Sequence, residues 1–448
     1  MMKRRLLLVL LAACLGLTAC QSQAKLEPAA EAPATTNKPA ETTAPTETEP
    51  AATEAVATVP ASSETESAST QTEPAPELTE PLVGADLGLD ALDAKLIAYL
   101  KANGLEQESF TLSPLSLKAA LALTALGAEG ETQQQILDAL GFADVEALKT
   151  WYASVLAGVA DFDSRVFGED KADSAYRVVN AIFHNAACDG EFRESYKDLV
   201  SKVMGAYASS HDKAEITKAV NDWVNAQTDG MIPSIVEDAS QAAAVLVNAL
   251  YLKVKWAEAE AFNPSPVTDF TTLSGETVQK EFITKTEKYR YYADADCQLV
   301  VLPLQGGINM VLVLGDGTNL SEKLAQAKAR KTCVTLPKFE VESSFDKKEL
   351  VQCLKAIGCG KMFVDGVAEF DPMFTEGVYV DDIIQKAKVK VDEKGLEAAA
   401  ATAVTMMRNT AVPNPEEPVI FTADRPFQFA IIREDEAPEL LFWGQIIE

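Results

Sequence analysis

The strongest constraint on folding is a break in composition near residue 85. From Gln21 to Ala85 the chain is mostly Ala, Thr, Glu, Pro and Ser without an aromatic residue, and 11 Glu against 2 Lys give a charge of -9. Such a segment buries too little apolar surface to offset the entropy lost on ordering. We therefore predict a disordered tether over residues 20–85, with a root-mean-square reach of about 45 Å, and a folded body over residues 86–448.

The first 19 residues have the pattern of an export signal. Lys3, Arg4 and Arg5 precede the apolar run 6–17, which is too short for a comfortable membrane span. The following Leu-Thr-Ala-Cys, ending at Cys20, resembles the bacterial lipobox, in which the cysteine is lipidated. We predict a signal peptide at 1–19 and an exported protein held to the bacterial membrane by lipid on Cys20, facing outside.

Charge and histidine content exclude several function classes. Lys+Arg 39 against Asp+Glu 67 give a net charge of -28, which opposes binding to nucleic acid. The only two histidines, His184 and His211, rule out His-rich metal sites, and we interpret both as structural. Asp294 and Asp296 lack the rest of a calcium loop. With no nucleotide-binding or hydrolase motif present, we predict no catalytic residues, no cofactor and no metal site.

The cysteines do not suggest a disulfide framework. Once Cys14 leaves with the signal and Cys20 carries lipid, five remain, at 188, 297, 333, 353 and 359. The number is odd and no CxxC spacing occurs, so we expect mostly buried thiols, although one disulfide stays open as an alternative.

Hydrophobic periodicity predicts the opening elements of the body. A helix covers Leu89 to Leu100, and Phe110–Leu112 has the pattern of a short strand. Ser113 and Pro114 have the types expected at the N-cap and first position of a helix that ends near residue 127. Thr132 with Gln135 forms a capping box for a third helix, ending at Gly141.

Further along, helices and strands are not strictly interleaved, so the class is α+β in one large domain. The predicted helices cover 216–224, 320–329 and 345–357, and the predicted strands cover 244–256, 299–304, 308–314, 334–339 and 427–432.

One segment can be interpreted in two ways. After Gly395, the residues to Met407 carry one charge and include six consecutive Ala or Thr positions, which favours a helix. At a period of two, however, the even positions from Leu396 to Met406 form one uncharged face, as in a buried strand. The proline-broken stretch 408–418 that follows is polar and predicted to be exposed, so the whole segment suggests a conformational switch.

At this point the body resembles the serpins, the serine protease inhibitor superfamily, over essentially all of Asp86–Glu448. The resemblance rests on the order and spacing of matching pieces, which are Phe110–Ser116, Asn221–Val224, Thr228–Ile232, Val247–Trp256, Leu336–Phe339, Asp392–Thr402, Asp424–Phe427 and Leu441–Gly444.

The resemblance implies a fold of three β-sheets and about nine helices with an exposed reactive-centre loop, here from Glu393 to Pro418. It implies that a protease cuts this loop and is trapped as an acyl-enzyme when the loop inserts into the central sheet. The hinge would comprise Glu393, Lys394, Gly395, Leu396, Glu397, Ala398, Ala399, Ala400, Ala401 and Thr402. The residues that control sheet opening would be Ser113, Ser116, Asn248, Gln385 and Trp256.

Two residues depart from the family pattern. Gln385 stands where serpins usually have a histidine, and Leu396 stands where they have Thr or Ser, so that its size raises the question of slow insertion. Counting 17 residues from Glu393, the usual spacing, places the scissile bond at Asn409–Thr410. A loop one residue shorter would place it at Arg408–Asn409, which suits a trypsin-like or papain-like protease.

Three functions follow as hypotheses. The first is a surface-anchored, monomeric inhibitor of a serine protease, or of a papain-like cysteine protease. The alternative is a non-inhibitory serpin that acts as a surface binding module. A solute-binding lipoprotein is disfavoured by the serpin motifs.

Overall fold

The computed structural model describes residues 91–167, 170–171, 173–188, 190–257, 261–345, 347–380, 383–396, 417–434 and 439–448. All of them belong to one compact unit, Thr72–Glu448. The predicted signal peptide, Cys20, the tether, hinge residues 397–402 and both candidate scissile bonds lie outside the described residues.

Helices and strands are mixed, as the α+β class requires. The described residues form eight α-helices: α1 (Ala91–Ala102), α2 (Pro114–Leu126), α3 (Gly130–Leu140), α4 (Val145–Arg165), α5 (Glu194–Met204), α6 (Ile216–Gln227), α7 (Leu320–Gln326) and α8 (Gln352–Ala356). They form the strands β1 (Phe110–Leu112), β2 (Ala175–Asn185), β3 (Tyr207–His211), β4 (Ala244–Lys255), β5 (Asn263–Thr271), β6 (Thr277–Ala293), β7 (Cys297–Pro303), β8 (Ile308–Gly315), β9 (Lys328–Pro337), β10 (Phe339–Phe345), β11 (Gln385–Val391), β12 (Gly395–Leu396), β13 (Val419–Thr422), β14 (Phe427–Arg433) and β15 (Glu439–Ile446).

The strands form two hydrogen-bonded ladders. A six-stranded sheet has the order β10-β11-β12-β4-β2-β3, and a nine-stranded sheet has the order β1-β15-β14-β8-β7-β6-β9-β13 with β5 also paired to β6. The 17-residue strand β6 pairs with β5 and β9 along one part and with β7 at its C-terminal end. The larger ladder therefore has two parts that share β6: one contains β5, β9 and β13, and the other contains β7, β8, β14, β15 and β1. When the two parts are counted separately, the strands form the three sheets expected from the resemblance.

Helix α2 is the central helix of the core. All of its residues are buried, and it packs against β4 of the smaller sheet and β15 of the larger one. The Ser113 side chain accepts a hydrogen bond from Ser116 N at 3.2 Å, with Pro114 in the first turn, so the predicted N-cap is confirmed. The cap thereby fixes where α2 begins beneath the six-stranded sheet.

The predicted capping box is wrong. Helix α3 begins at Gly130 and has no side-chain cap. Thr132 Oγ1 instead accepts a hydrogen bond from Glu369 N at 3.0 Å, and Gln135 Oε1 accepts one from Lys361 N at 2.9 Å. These side chains satisfy the backbone of a distant segment that packs against α3, a use that local spacing does not reveal.

The predicted strand over 334–339 is divided between the two sheets. β9 ends at Pro337 in the larger ladder and β10 begins at Phe339 in the smaller one. Lys338 N donates to Glu281 O at 2.7 Å between them. The predicted helix over 320–329 also ends early, because the chain enters β9 at Lys328.

The cysteines of the body are free. Burial raises the pKa of Cys297, Cys353 and Cys359 to about 12, so these thiols stay protonated and inert at neutral pH. Within the described residues, no group of acidic, His and Cys side chains could hold a metal ion, and no helix is long and apolar enough to cross a membrane.

Candidate functional site

Two residues of the predicted hinge, Gly395 and Leu396, form the short strand β12 inside the six-stranded sheet. β12 lies between β11 and β4, where Leu396 pairs with both Val391 and Val254. Leu396 is only 3% exposed. Of the two interpretations of the segment after Gly395, the strand is confirmed for Leu396, and the rest of that segment lies outside the described residues. The bulk of Leu396 is already accommodated in the sheet.

Gly395 is required by its surroundings. Its φ is +148°, which L side chains rarely adopt, and it pairs with Lys255. A Cβ at this position would lie 2.7 Å from Lys255 Cα and closer still to Val254 O, both backbone atoms of β4. Only glycine lets the chain turn into the sheet at this point.

Trp256 holds the turn that precedes β12. Within the turn, Asp392 N donates to Gly395 O at 3.0 Å, and Lys394 N donates to Asp392 Oδ1 at 2.7 Å. The buried Trp256 donates its backbone N–H to Lys394 O at 3.0 Å and its indole N–H to Asp392 O at 3.2 Å. Burial raises the pKa of Asp392, and the Lys394 N–H opposes that shift.

Glu393 links the same turn to the larger ladder. Its backbone carbonyl accepts from Phe262 N at 2.8 Å, and its carboxylate lies 3.1 Å from Lys338 Nζ. Lys338 also pairs with Glu281 at 2.5 Å. Hydrogen bonds from Lys338 to Glu281 and then to Glu393 raise its pKa, so the ammonium stays charged across the physiological range.

A seam between β11 and β4 continues below Leu396. The two strands run parallel and meet through β12 at one end and through the isolated bridge Leu246–Ile383 at the other. Between these points, the described residues 384–390 and 247–253 form no ladder pairs with each other. A small cavity of about 10 Å³ lies next to Leu396, lined in part by Leu252, Val389 and Phe442. The seam therefore has the length of seven residues, with an apolar lining next to Leu396.

A buried polar cluster holds β11 to the helix beneath the seam. Ser113 N donates to Gln385 Oε1 at 3.0 Å, and Gln385 Nε2 returns a bond to Ser113 O at 2.7 Å. Ser113 Oγ donates to Leu441 O at 2.8 Å. Gln385 is only 3% exposed, and its amide both accepts a hydrogen bond from Ser113 and donates one to it.

The cluster continues to β4 and beyond. Ser116 Oγ donates to Asn248 Oδ1, Asn248 Nδ2 donates to Asn180 Oδ1 at 2.6 Å, and Asn180 Nδ2 donates to Tyr152 OH at 2.5 Å. Burial raises the pKa of Tyr152 far above its ordinary value, so the phenol stays neutral. Ser113, Ser116, Asn248 and Gln385 thus lie in one network, while Trp256 lies apart at the top of the seam.

Sequence reasoning missed Asn180 and Tyr152. The sequence does carry a signal for Asn180. It lies between Val178 and Ile182 at alternate positions of β2, so a polar side chain stands among apolar ones on the buried face of the strand. It also pairs directly with Asn248 in the sheet. Tyr152 lies on α4, and nothing in its local pattern indicates a polar partner.

The two histidines have structural surroundings. His184 is buried between Phe192 and Phe374, with ring centroids at 5.6 Å and 5.3 Å, and its Nδ1 lies 3.2 Å from Ser210 Oγ. Burial lowers the pKa of His184. His211 Nε2 lies 2.9 Å from Ser209 Oγ.

Comparison with known proteins assigns the fold. The family model described as "Serpin (serine protease inhibitor)" matches residues 91–448. The chain is 29% identical to the antitrypsin of Bombyx mori over 77% of this chain and 90% of that protein, and 30% identical to the leukocyte elastase inhibitor of Equus caballus over 75% and 91%. Among solved structures, Serpin48 of Tenebrio molitor aligns with a TM-score of 0.62 at 27% identity, over 79% of this chain and 95% of that one.

Proposed function

The chain belongs to the serpin family, and on that premise we propose that it is a single-use protease inhibitor. A target serine protease, or a papain-like cysteine protease, would cut the loop near Asn409–Thr410 or Arg408–Asn409. The cut loop would then insert into the six-stranded sheet and carry the acyl-enzyme with it. The names of the relatives, antitrypsin and leukocyte elastase inhibitor, support a protease as the partner.

The observation that carries this proposal is the position of β12. Continuing its antiparallel register from Leu396–Val254 would place residues 397–403 opposite 253–247 of β4 and 390–384 of β11. This is the interval of the seam without ladder pairs. Seven residues that gain backbone bonds at about 1 kcal/mol each would supply a substantial driving force for insertion.

The side chains of the hinge suit that path. Leu396 faces the core, so Ala398, Ala400 and Thr402 would also face inward at a period of two. Small side chains meet little resistance from a packed interior. In this register Thr402 would reach the level of Gln385 and Asn248, where a hydroxyl can join the polar cluster.

The test is incubation of the purified protein with trypsin-, elastase-, subtilisin- and papain-like enzymes, analysed by denaturing gel and intact mass. We expect a complex that survives denaturation, with a released peptide that begins at Thr410 or Asn409. Cleavage without such a complex across the panel would reject inhibition.

A non-inhibitory binding module is the second candidate, and Leu396 is the residue that favours it. Its side chain is larger than the Thr or Ser that the resemblance implies. For this candidate the loop would be cut cleanly with no stable complex, and Leu396→Thr should restore trapping because it removes the bulk that obstructs insertion.

We further propose that the inhibitor is displayed outside the cell on lipid attached to Cys20. The support is the lipobox that follows an apolar export signal. Mass spectrometry of the mature amino terminus should show a lipidated cysteine. An unmodified terminus at any other residue would contradict the anchor.

A further inference from the structure

A concentration of positive charge lies at one end of the β6–β9 ladder. Over the four rungs from Lys288–Lys331 to Tyr291–Lys328, five of the eight residues are cationic and none is acidic. Opposite residues share a face and successive residues alternate, so Lys288, Arg290 and Lys331 stand on one face of the ladder and Lys328 and Arg330 on the other. We call the second group, Lys328 and Arg330, the basic ladder end. It stands out in a chain whose net charge is -28.

Folding does not account for this arrangement. Lys328 and Arg330 stand two residues apart on one face of β9, where two like charges do not stabilise the strand. Arg290 pairs with Glu434, but Lys288, Lys328 and Arg330 form no ion pair with a described carboxylate and are exposed. Positive charge that faces solvent without an ion pair among the described residues is available to a partner.

The basic ladder end borders the strand in which the reactive loop ends. β13 begins at Val419 and pairs in parallel with β9 from Thr332 onward. Val419, Lys328, Arg330 and Tyr291 share the wall of one groove of about 690 Å³. The groove is therefore within reach of whatever engages the loop.

The size of a protease makes contact there geometrically feasible. Thr410 is nine residues from Val419, so the chain between them spans at most about 32 Å. A protease of about 220 residues has a radius of gyration of about 17 Å and a diameter above about 40 Å. When it is bound at the scissile bond, the protease can cover the groove. The surface that would do so lies beside the primed side of its active-site cleft, which binds the residues that follow the cut.

We propose that the basic ladder end is a docking surface for the target protease and that it selects proteases whose surface on the primed side is acidic. This inference rests on the proposed inhibitory function. Because the rest of the inhibitor is strongly negative, it repels acidic proteins in general. A local positive surface beside the loop therefore raises the rate of productively oriented encounters.

The test uses anionic and cationic trypsin as probes, with the double variant Lys328→Gln/Arg330→Gln. The matched control, Lys149→Gln/Lys218→Gln, removes the same charge from α4 and α6, which pack on the six-stranded sheet. The measurement is the second-order rate constant for consumption of the intact loop, at several salt concentrations. This rate counts trapping and simple cleavage together, so it remains measurable if trapping fails.

We expect the double variant to react about three- to tenfold more slowly with anionic trypsin at low salt, with a weaker salt dependence. The control should keep the parent ratio between the two trypsins. Equal rates and salt slopes for variant and parent would overturn the proposal. A second result would also overturn it. If the parent protein is retained on heparin, the double variant is not, and the two react with trypsin at the same rate, then the surface binds an anionic polysaccharide and not the protease. Failure of the inhibitory function is seen separately, as loop cleavage without a stable complex.

Discussion

At the scale of single residues, one glycine and one leucine determine how the predicted hinge enters the sheet. Gly395 allows the backbone to turn within contact of β4, and Leu396 then fills the space between β11 and β4. The resemblance pointed to both positions, and to Gln385, from the order of motifs alone. It could not show that Leu396 is already buried, since that depends on how far the strands are parted.

Gly395→Ala should destabilise the intact protein more than an ordinary glycine replacement. Alanine would meet both the positive φ and the backbone of β4, so we expect a loss of about 2–4 kcal/mol in the free energy of unfolding. Gly358→Ala is the control, because Gly358 has φ +97° and no atom lies within 4 Å of the position that its Cβ would take. It should lose only about 1–2 kcal/mol. Equal losses in urea unfolding would contradict the close contact.

His184 should make stability depend on pH. Burial lowers its pKa below the ordinary 6.5, so the unfolded chain binds the proton more readily than the folded one. Its contribution is complete above about pH 6.5 and is lost as the pH falls through and below that value. His184→Gln should flatten this part of the pH dependence in urea unfolding. An unchanged slope would show that His184 is not responsible.

At the scale of secondary structure elements, the sequence predicts those whose signals are local. Ser113 and Pro114 correctly predict the beginning of α2, because an N-cap needs only its own turn. Thr132 and Gln135 mislead, because their partners lie more than 200 residues away, at Glu369 and Lys361. The division between β9 and β10 at Lys338 is likewise invisible to strand periodicity, since only the tertiary fold assigns the two halves to different sheets.

The proposed register predicts which side chains face the core when the cut loop extends β12. Ala398 would face inward beside Leu252 and Val389, whereas Ala399 would face outward beside Lys388. Ala398→Glu should therefore stop insertion and turn the inhibitor into a substrate, because a carboxylate would be buried without a partner. Ala399→Glu is the matched control and should still trap protease. Equal stoichiometries of inhibition for the two variants would contradict this register.

At the scale of the whole molecule, two ladders, one central helix and one loop are connected so that a cut in the loop can change the smaller sheet. The loop leaves that sheet at Leu396 and rejoins the larger ladder at Val419. While it is intact, both of its ends are fixed. Under the proposed mechanism, a cut would free the N-terminal part to extend β12 down the seam toward the cluster of Ser113, Asn248 and Gln385. We therefore expect the intact protein to be less stable than its cleaved form.

The most direct test of this account is the thermal unfolding of the protein before and after a single cut in residues 408–410. We predict a rise of about 10 °C in the melting temperature after cleavage, on the order of what seven added backbone hydrogen bonds at about 1 kcal/mol each would give in a domain of this size. The cut protein with Ala398→Glu should show no such rise. An unchanged melting temperature for the cut parent protein would mean that the loop does not insert, and would contradict the central claim.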